Sequence, residues 1–133
     1  MALPFGIYPC ITFANCAEEA VAYYVSVFPN SKIESIEYFE EGDRGEKGKV
    51  RAVCFTLLGN TFTAFDMDSS ESPGPNWSIS FYINCADETM FDDIFKKLSV
   101  DGTVLMGPEK TGNLRKASWI TDKFGLTWQV IWE

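Results

Sequence analysis

The sequence predicts an α+β fold in which one βαβββ unit is built twice, and three observations carry that prediction. Phe13-Ala14-Asn15-Cys16-Ala17-Glu18-Glu19 returns as Tyr82-Ile83-Asn84-Cys85-Ala86-Asp87-Glu88, 69 positions later. Leu58-Gly59-Asn60-Thr61-Phe62-Thr63-Ala64-Phe65 is echoed by Phe124-Gly125-Leu126-Thr127-Trp128-Gln129-Val130-Ile131, 66 positions on. Between the echoes, strand and helix periodicities follow in the same order in both halves. Self-similarity at a fixed spacing marks one supersecondary unit repeated.

In the first half, Cys10 to Ala14 reads as a short apolar strand. Asn15 is a suitable N-cap, and Glu18 stands three residues on, where a capping box needs it. Ala17, Ala20, Val21, Tyr24, Val25 and Phe28 recur at helical spacing, and Pro29 stops the helix. Lys32 to Phe39 is a strand. Glu40 to Lys49 is glycine-rich and charged, and reads as a mobile loop. Val50 to Leu58 and Thr61 to Asp66 form a hairpin turned at Gly59-Asn60. The connector runs from about 67 to 76, so the first repeat covers about 4–66 and the second about 77–133, together one domain over 1–133.

The second half begins with a strand from Ser78 to Asn84, and Asn84 repeats the cap with Asp87 in the third position. Met90 or Phe91, with Ile94, Phe95 and Leu98, forms the second helical stripe. Lys96-Lys97 at its end suit the helix dipole, and Gly102 closes it. Thr103 to Met106, Lys116 to Thr121 and Leu126 to Trp132 are three more strands.

Composition narrows the function. With 133 residues, 46% hydrophobic content and 11 phenylalanines, the chain can bury a core. A net charge of −8 argues against nucleic-acid or anionic-membrane partners. Residues 1 to 8 lack a signal-peptide pattern, and no apolar run reaches the ~20 residues of a membrane span, so a cytoplasmic location is expected. Four cysteines form no Cys-x-x-Cys pair, and there is no histidine. They read as small core hydrophobes rather than as a zinc set or a disulfide framework.

Three segments are similar to a known family. Ala17-Glu18-Glu19-Ala20 with Tyr23-Tyr24-Val25-Ser26-Val27-Phe28-Pro29-Asn30-Ser31 looks like its first helix and exit. Ile79-Ser80-Phe81 with Asn84-Cys85 looks like its fifth strand, and Asp122-Lys123-Phe124-Gly125-Leu126-Thr127-Trp128-Gln129-Val130 its terminal hairpin. The chain resembles the vicinal oxygen chelate superfamily of glyoxalases, bleomycin-resistance proteins and extradiol dioxygenases. The resemblance is to its PhnB-like branch, often labelled 3-demethylubiquinone methyltransferase. It implies a cupped eight-stranded, glyoxalase-like sheet in pseudo-twofold arrangement, with both helices on the convex side.

In the metalloenzymes of that superfamily four residues in the cup hold a divalent metal. The resemblance places those positions on Pro9, Thr63, Ser78 and Gln129. None is a good ligand, so no metal and no other cofactor is expected. Strand alternation from these positions predicts a pocket face made of Pro9, Ile11, Phe13, Thr61, Thr63, Phe65, Ser78, Ser80, Tyr82, Thr127, Gln129 and Ile131. Apolar walls with a few hydroxyls and an amide are the make-up of a small-molecule site.

Catalytic chemistry is harder to find. Serine and cysteine lack a histidine to activate them. Cys16 and Cys85 open helices, where the dipole can lower a thiol pKa. Asp66 and Asp68 could act as a base or a cation contact at a rim, and Arg51, Arg115 and Lys116 could orient an anion. Gly42, Gly45 and Gly48 lie between two strands, where no helix start follows for a methyl-donor cofactor. The readings are therefore a metal-free small-molecule pocket protein, such as a cofactor-independent isomerase or lyase-like enzyme; a drug- or toxin-sequestering binder; and a non-catalytic scaffold. Homodimerisation is expected in each, because edge strands and four tryptophans need cover.

Overall fold

The computed structural model describes residues 2–133. The chain divides into two compact units, residues 1–74 and 75–133. The first holds β1 (Cys10–Ala14), α1 (Ala17–Val27), β2 (Lys32–Tyr38), β3 (Val50–Leu57) and β4 (Asn60–Met67). The second holds β5 (Ser80–Asn84), α2 (Glu88–Ser99), β6 (Thr103–Thr111), β7 (Leu114–Thr121) and β8 (Thr127–Trp132). Each unit is βαβββ, and each has its own four-stranded sheet, in the orders β1-β4-β3-β2 and β5-β8-β7-β6. The strand beside each helix start pairs in parallel with the last strand of its unit, and the other pairings are antiparallel. The repeated topology is that of the predicted glyoxalase-like unit.

The core of unit one forms where the α1 stripe meets its sheet. Ala17, Ala20, Val21 and Tyr24 are buried against Phe13, Val53 and Phe55, and the rings of Phe13 and Tyr24 lie 6.5 Å apart. In unit two, Phe91, Ile94 and Leu98 of α2 are buried, as are Ile120, Trp128 and Val130 of the sheet. Each helix therefore covers one face of its own sheet.

The helix starts differ from the sequence reading. Asn15 lies at φ 59° and does not cap α1. The N-cap is Cys16, whose side chain makes no capping bond. The N–H of Ala17 instead donates to Oδ1 of Asp66, on β4, at 2.8 Å. Nor does Asn84 cap α2. Asp87 does, accepting from Met90 N at 2.8 Å. The helices begin at Ala17 and Glu88, 71 residues apart (88 − 17), so the echo at 69 aligns the junctions but not the caps.

Two turns also differ. The β3–β4 turn is Leu58-Gly59, with φ of 51° and 79°. Two positive values make it a type I′ turn, and Asn60 begins β4. The Glu40–Lys49 segment is internally bonded rather than open: Phe39 N donates to Lys49 O at 2.8 Å, Gly48 N to Phe39 O at 3.0 Å, and Glu40 N to Asp43 Oδ2 at 2.7 Å. Gly45 packs so closely on Phe39 that a Cβ would lie 2.2 Å from the ring.

Candidate functional site

In the second sheet, Cα partners show which side chains share a face. Ser80 pairs with Thr127, Tyr82 with Gln129 and Asn84 with Ile131. Across the next ladder, Thr127 pairs with Thr121, Gln129 with Trp119 and Ile131 with Ala117. Met106 pairs with Trp119. One row therefore crosses all four strands: Tyr82, Gln129, Trp119, Met106. The opposite face carries Ile83, Trp128, Val130, Ile120 and Lys116. It is the α2 side, because Lys116 donates to Asp92 at 2.6 Å and to Glu88 at 3.2 Å on that helix.

The row is polar at its centre. Gln129 Nε2 donates to Ser80 Oγ at 2.9 Å, while its Oε1 accepts no hydrogen bond among the described residues. With Nε2 on Ser80, Oε1 is the amide atom that no described protein group meets. Thr121 and Thr127 join their hydroxyls at 3.2 Å. Tyr82 is half exposed, and its hydroxyl reaches Glu133 at 3.5 Å. Burial, and then Glu133, push the phenol pKa up, so it stays a donor. Thr127 and Ile131 are buried, which leaves Ser80, Tyr82, Gln129 and Trp119 as the open part of the face.

Trp119 extends this surface. Its Nε1 is shut off from solvent and has no hydrogen-bond partner. An orphan buried donor costs about 1–3 kcal/mol, and such groups are rare enough to call for a reason. The exposed ring of Trp77 leans on it, centroids 5.4 Å apart at 41°. Asn76, Trp77, Ser78 and Trp119 border a shallow pocket of about 380 Å³.

The predicted pocket residues of unit one divide between two faces. Cys10 pairs with Thr63 and Thr12 with Phe65, whereas Ile11 pairs with Ala64 and Phe13 with Asp66. Thr61, Thr63 and Phe65 thus share their face with Cys10 and Thr12. Ile11 and Phe13 belong to the helix-covered face, and Phe13 is fully buried under Tyr24. Pro9 precedes β1, and its carbonyl accepts from both Thr63 N (2.9 Å) and Thr63 Oγ1 (2.8 Å). Ser78 lies in a turn before β5, its N–H on Asn76 Oδ1 at 2.8 Å.

The four positions that the resemblance assigned to a metal do not fit one. Pro9 offers only its carbonyl, Thr63 spends its hydroxyl on that carbonyl, and Gln129 is held by Ser80 rather than by Ser78 or Thr63. Among the described residues no group of three or more cysteine, aspartate or glutamate side chains is placed to hold a metal ion.

The other candidates have structural roles. Asp66 is no rim acid. It is buried, with Oδ1 on Ala17 N and Oδ2 on Val50 N at 2.9 Å. Asp68 turns onto Ser70 N at 2.9 Å and the Ser70 hydroxyl at 2.6 Å, and these bonds hold its pKa down. Arg51 bonds Glu37 at 3.3 Å, Arg115 lies over the Trp132 ring at 4.9 Å, and Lys116 is taken by α2. Burial pushes the Cys16 thiol up and raises Cys85 to about 11, so neither is an activated nucleophile. Gly42, Gly45 and Gly48 lead into β3, so no strand–glycine–helix turn is present there.

Sequence reasoning missed Trp119. Its signal was present: in Lys116-Ala117-Ser118-Trp119-Ile120-Thr121 the tryptophan falls out of phase with Ile120, which faces the helix.

Comparison with known proteins agrees with this fold. No match was found among curated proteins. Among solved structures, a Bacillus cereus protein described as a 3-demethylubiquinone-9 3-methyltransferase, PhnB protein, is 33% identical. It covers 96% of this chain and 98% of its own, with a TM-score of 0.86. A Pseudomonas aeruginosa protein is 20% identical over 98% of both chains, with a TM-score of 0.84. A glyoxalase/bleomycin resistance protein/dioxygenase superfamily member from Sphaerobacter thermophilus is 18% identical, covering 98% of this chain and all of its own, at 0.56. The model of the family described as 3-demethylubiquinone-9 3-methyltransferase matches residues 6–131, and the chain belongs to that PhnB-like family of glyoxalase-fold proteins.

Proposed function

We propose that this protein binds a small, neutral, polar molecule without a metal, on the open face of its second sheet. The observation that carries the reading is the Gln129–Ser80 bond. It holds an amide at the centre of a Tyr82–Gln129–Trp119 row with its carbonyl free of any described protein partner. An amide gives a neutral ligand both a donor and an acceptor, and aromatic neighbours supply contact area. The negative net charge disfavours anions, and the lack of a carboxylate cluster on this face leaves a cation without a counter-charge, so neutral ligands are favoured.

Binding accounts for the face better than turnover does. The row contains no nucleophile–base pair. The buried thiols have raised pKa values, and Tyr82 keeps its proton. The family description names a methyl transfer, but the glycines that would shape a donor site lead into a strand.

The chain is also proposed to act as a homodimer. Phe5 and Ile7 are fully exposed, and Ile79 is more than half exposed. β1, β2, β5 and β6 are sheet edges. Apolar side chains beside open edges call for a partner, and a twofold self-contact is the commonest closed solution. Four free cysteines suit a reducing cytoplasm.

A fragment screen by ligand-observed NMR tests the reading. Neutral polar fragments should bind the wild type, and Gln129→Leu should remove most of these hits while the protein stays folded. Hits unaffected by Gln129→Leu, or a screen with no hits, would overturn it.

A further inference from the structure

The buried, unsatisfied indole N–H of Trp119 and the partly exposed carbonyl of Gln129, which no described protein group meets, are cross-strand partners on one face. Paired positions bring side chains to within about 4.5–5.5 Å at Cβ. One is a donor without an acceptor, and the other is an acceptor without a donor. Beside them the Trp77 ring leans on Trp119, and the adjoining pocket holds about 380 Å³. That lies at the lower end of the range for small-molecule sites.

We infer that the ligand of this site is a flat aromatic lactam, or a ring with the same adjacent carbonyl and N–H. The inference rests on the reading of this face as a small-molecule site. The ligand carbonyl accepts from Trp119 Nε1–H, and the ligand N–H donates to Gln129 Oε1. Its ring stacks against Trp77, which rotates outward to admit it. An exposed side chain makes such a rotamer change quickly. Stacking alone would accept any aromatic. The paired donor and acceptor select for the lactam edge, because a site built from unmet polar groups rejects analogues that leave them unmet.

Arginine and lysine do not enter the arrangement. Arg115 is held over Trp132 at 4.9 Å, and Lys116 lies on the opposite face, against α2. A carboxylate in place of the lactam would therefore find no counter-charge here. Asn76 and Ser78 are already bonded to each other, so the pocket rim adds no competing donor from that N–H.

The test compares 2-quinolinone, which carries the lactam edge, with naphthalene-based probes of similar size that lack it. Binding is followed by tryptophan fluorescence and by the Nε1–H resonances of the indoles. The lactam should bind more tightly. It should move the Trp119 indole resonance and lose about tenfold in affinity in both Trp119→Phe and Gln129→Leu. Trp119→Phe keeps a ring in place, and circular dichroism confirms its fold. The resonance shift is read in the wild type, independently of any variant.

Equal affinity for the two probes, or a Trp119 resonance that does not move, would overturn the lactam assignment. If neither probe binds while other fragments still depend on Gln129, the lactam class fails and the site reading stands. If no fragment depends on Gln129, both fail.

Discussion

The Asp66 carboxylate caps the helix that begins at Ala17, although 49 residues separate them. Oδ1 takes the Ala17 N–H at 2.8 Å and Oδ2 the Val50 N–H at 2.9 Å, so one buried side chain joins α1, β3 and β4. The helix has no side-chain cap of its own, and a negative charge there also suits the helix dipole. Asp66→Ala leaves two buried donors unmet and should cost about 1–3 kcal/mol for each. Urea unfolding measures it. A loss below about 0.5 kcal/mol would show that the cap is dispensable.

The β3–β4 turn places Leu58 at φ 51°. A non-glycine residue there is strained, and type I′ turns favour Asn-Gly. Leu58→Asn should therefore raise stability by up to about 1 kcal/mol, seen as a higher Tm. A fall in Tm would mean that the half-buried leucine side chain contributes more than the turn strain costs.

Thiol reactivity should follow burial. Cys10 is exposed, whereas Cys54 and Cys85 are buried. With a pKa of about 11, Cys85 is thiolate to roughly one part in a thousand at pH 8. Cys10 should react first with a disulfide reagent in the native state, and Cys85 only on unfolding. Rapid native modification of Cys85, located by mass spectrometry, would contradict the burial.

The exposed apolar residues Phe5, Ile7 and Ile79 predict a dimer. Light scattering at micromolar concentration should give about twice the 15.0 kDa of one chain. A mass of one chain would remove the proposal.

The repeated unit, the chain order of its elements and both helical stripes were legible in the sequence, because periodicity reports which residues meet a core. The caps were not. The Asn-Cys-Ala echo drew attention to Asn15 and Asn84, but the cap of α1 comes from a distant strand and that of α2 from Asp87. Alternation from Pro9, the position that the resemblance supplied, misplaced Ile11 and Phe13. Read alone, Cys10-Ile11-Thr12-Phe13-Ala14 alternates with Ile and Phe on the apolar, helix-facing side. Starting the alternation at Pro9 reversed that face. On the site, the resemblance pointed to Gln129, and alternation from Ser78 added Ser80 and Tyr82. The phase of Trp119 against Ile120 could have placed it on this face, but its unmet N–H is a property of packing, which no spacing records.

The account stands most directly on where a bound ligand perturbs the protein. Backbone and side-chain amide NMR spectra should be recorded with the tightest fragment from the screen. The largest shifts should fall on Ser80, Tyr82, the Gln129 side-chain amide and the Trp119 indole N–H, with the α2 residues Phe91 and Ile94 little changed. Shifts centred on the α2 side, or elsewhere away from these four, would contradict the assignment of the second sheet's open face as the binding site.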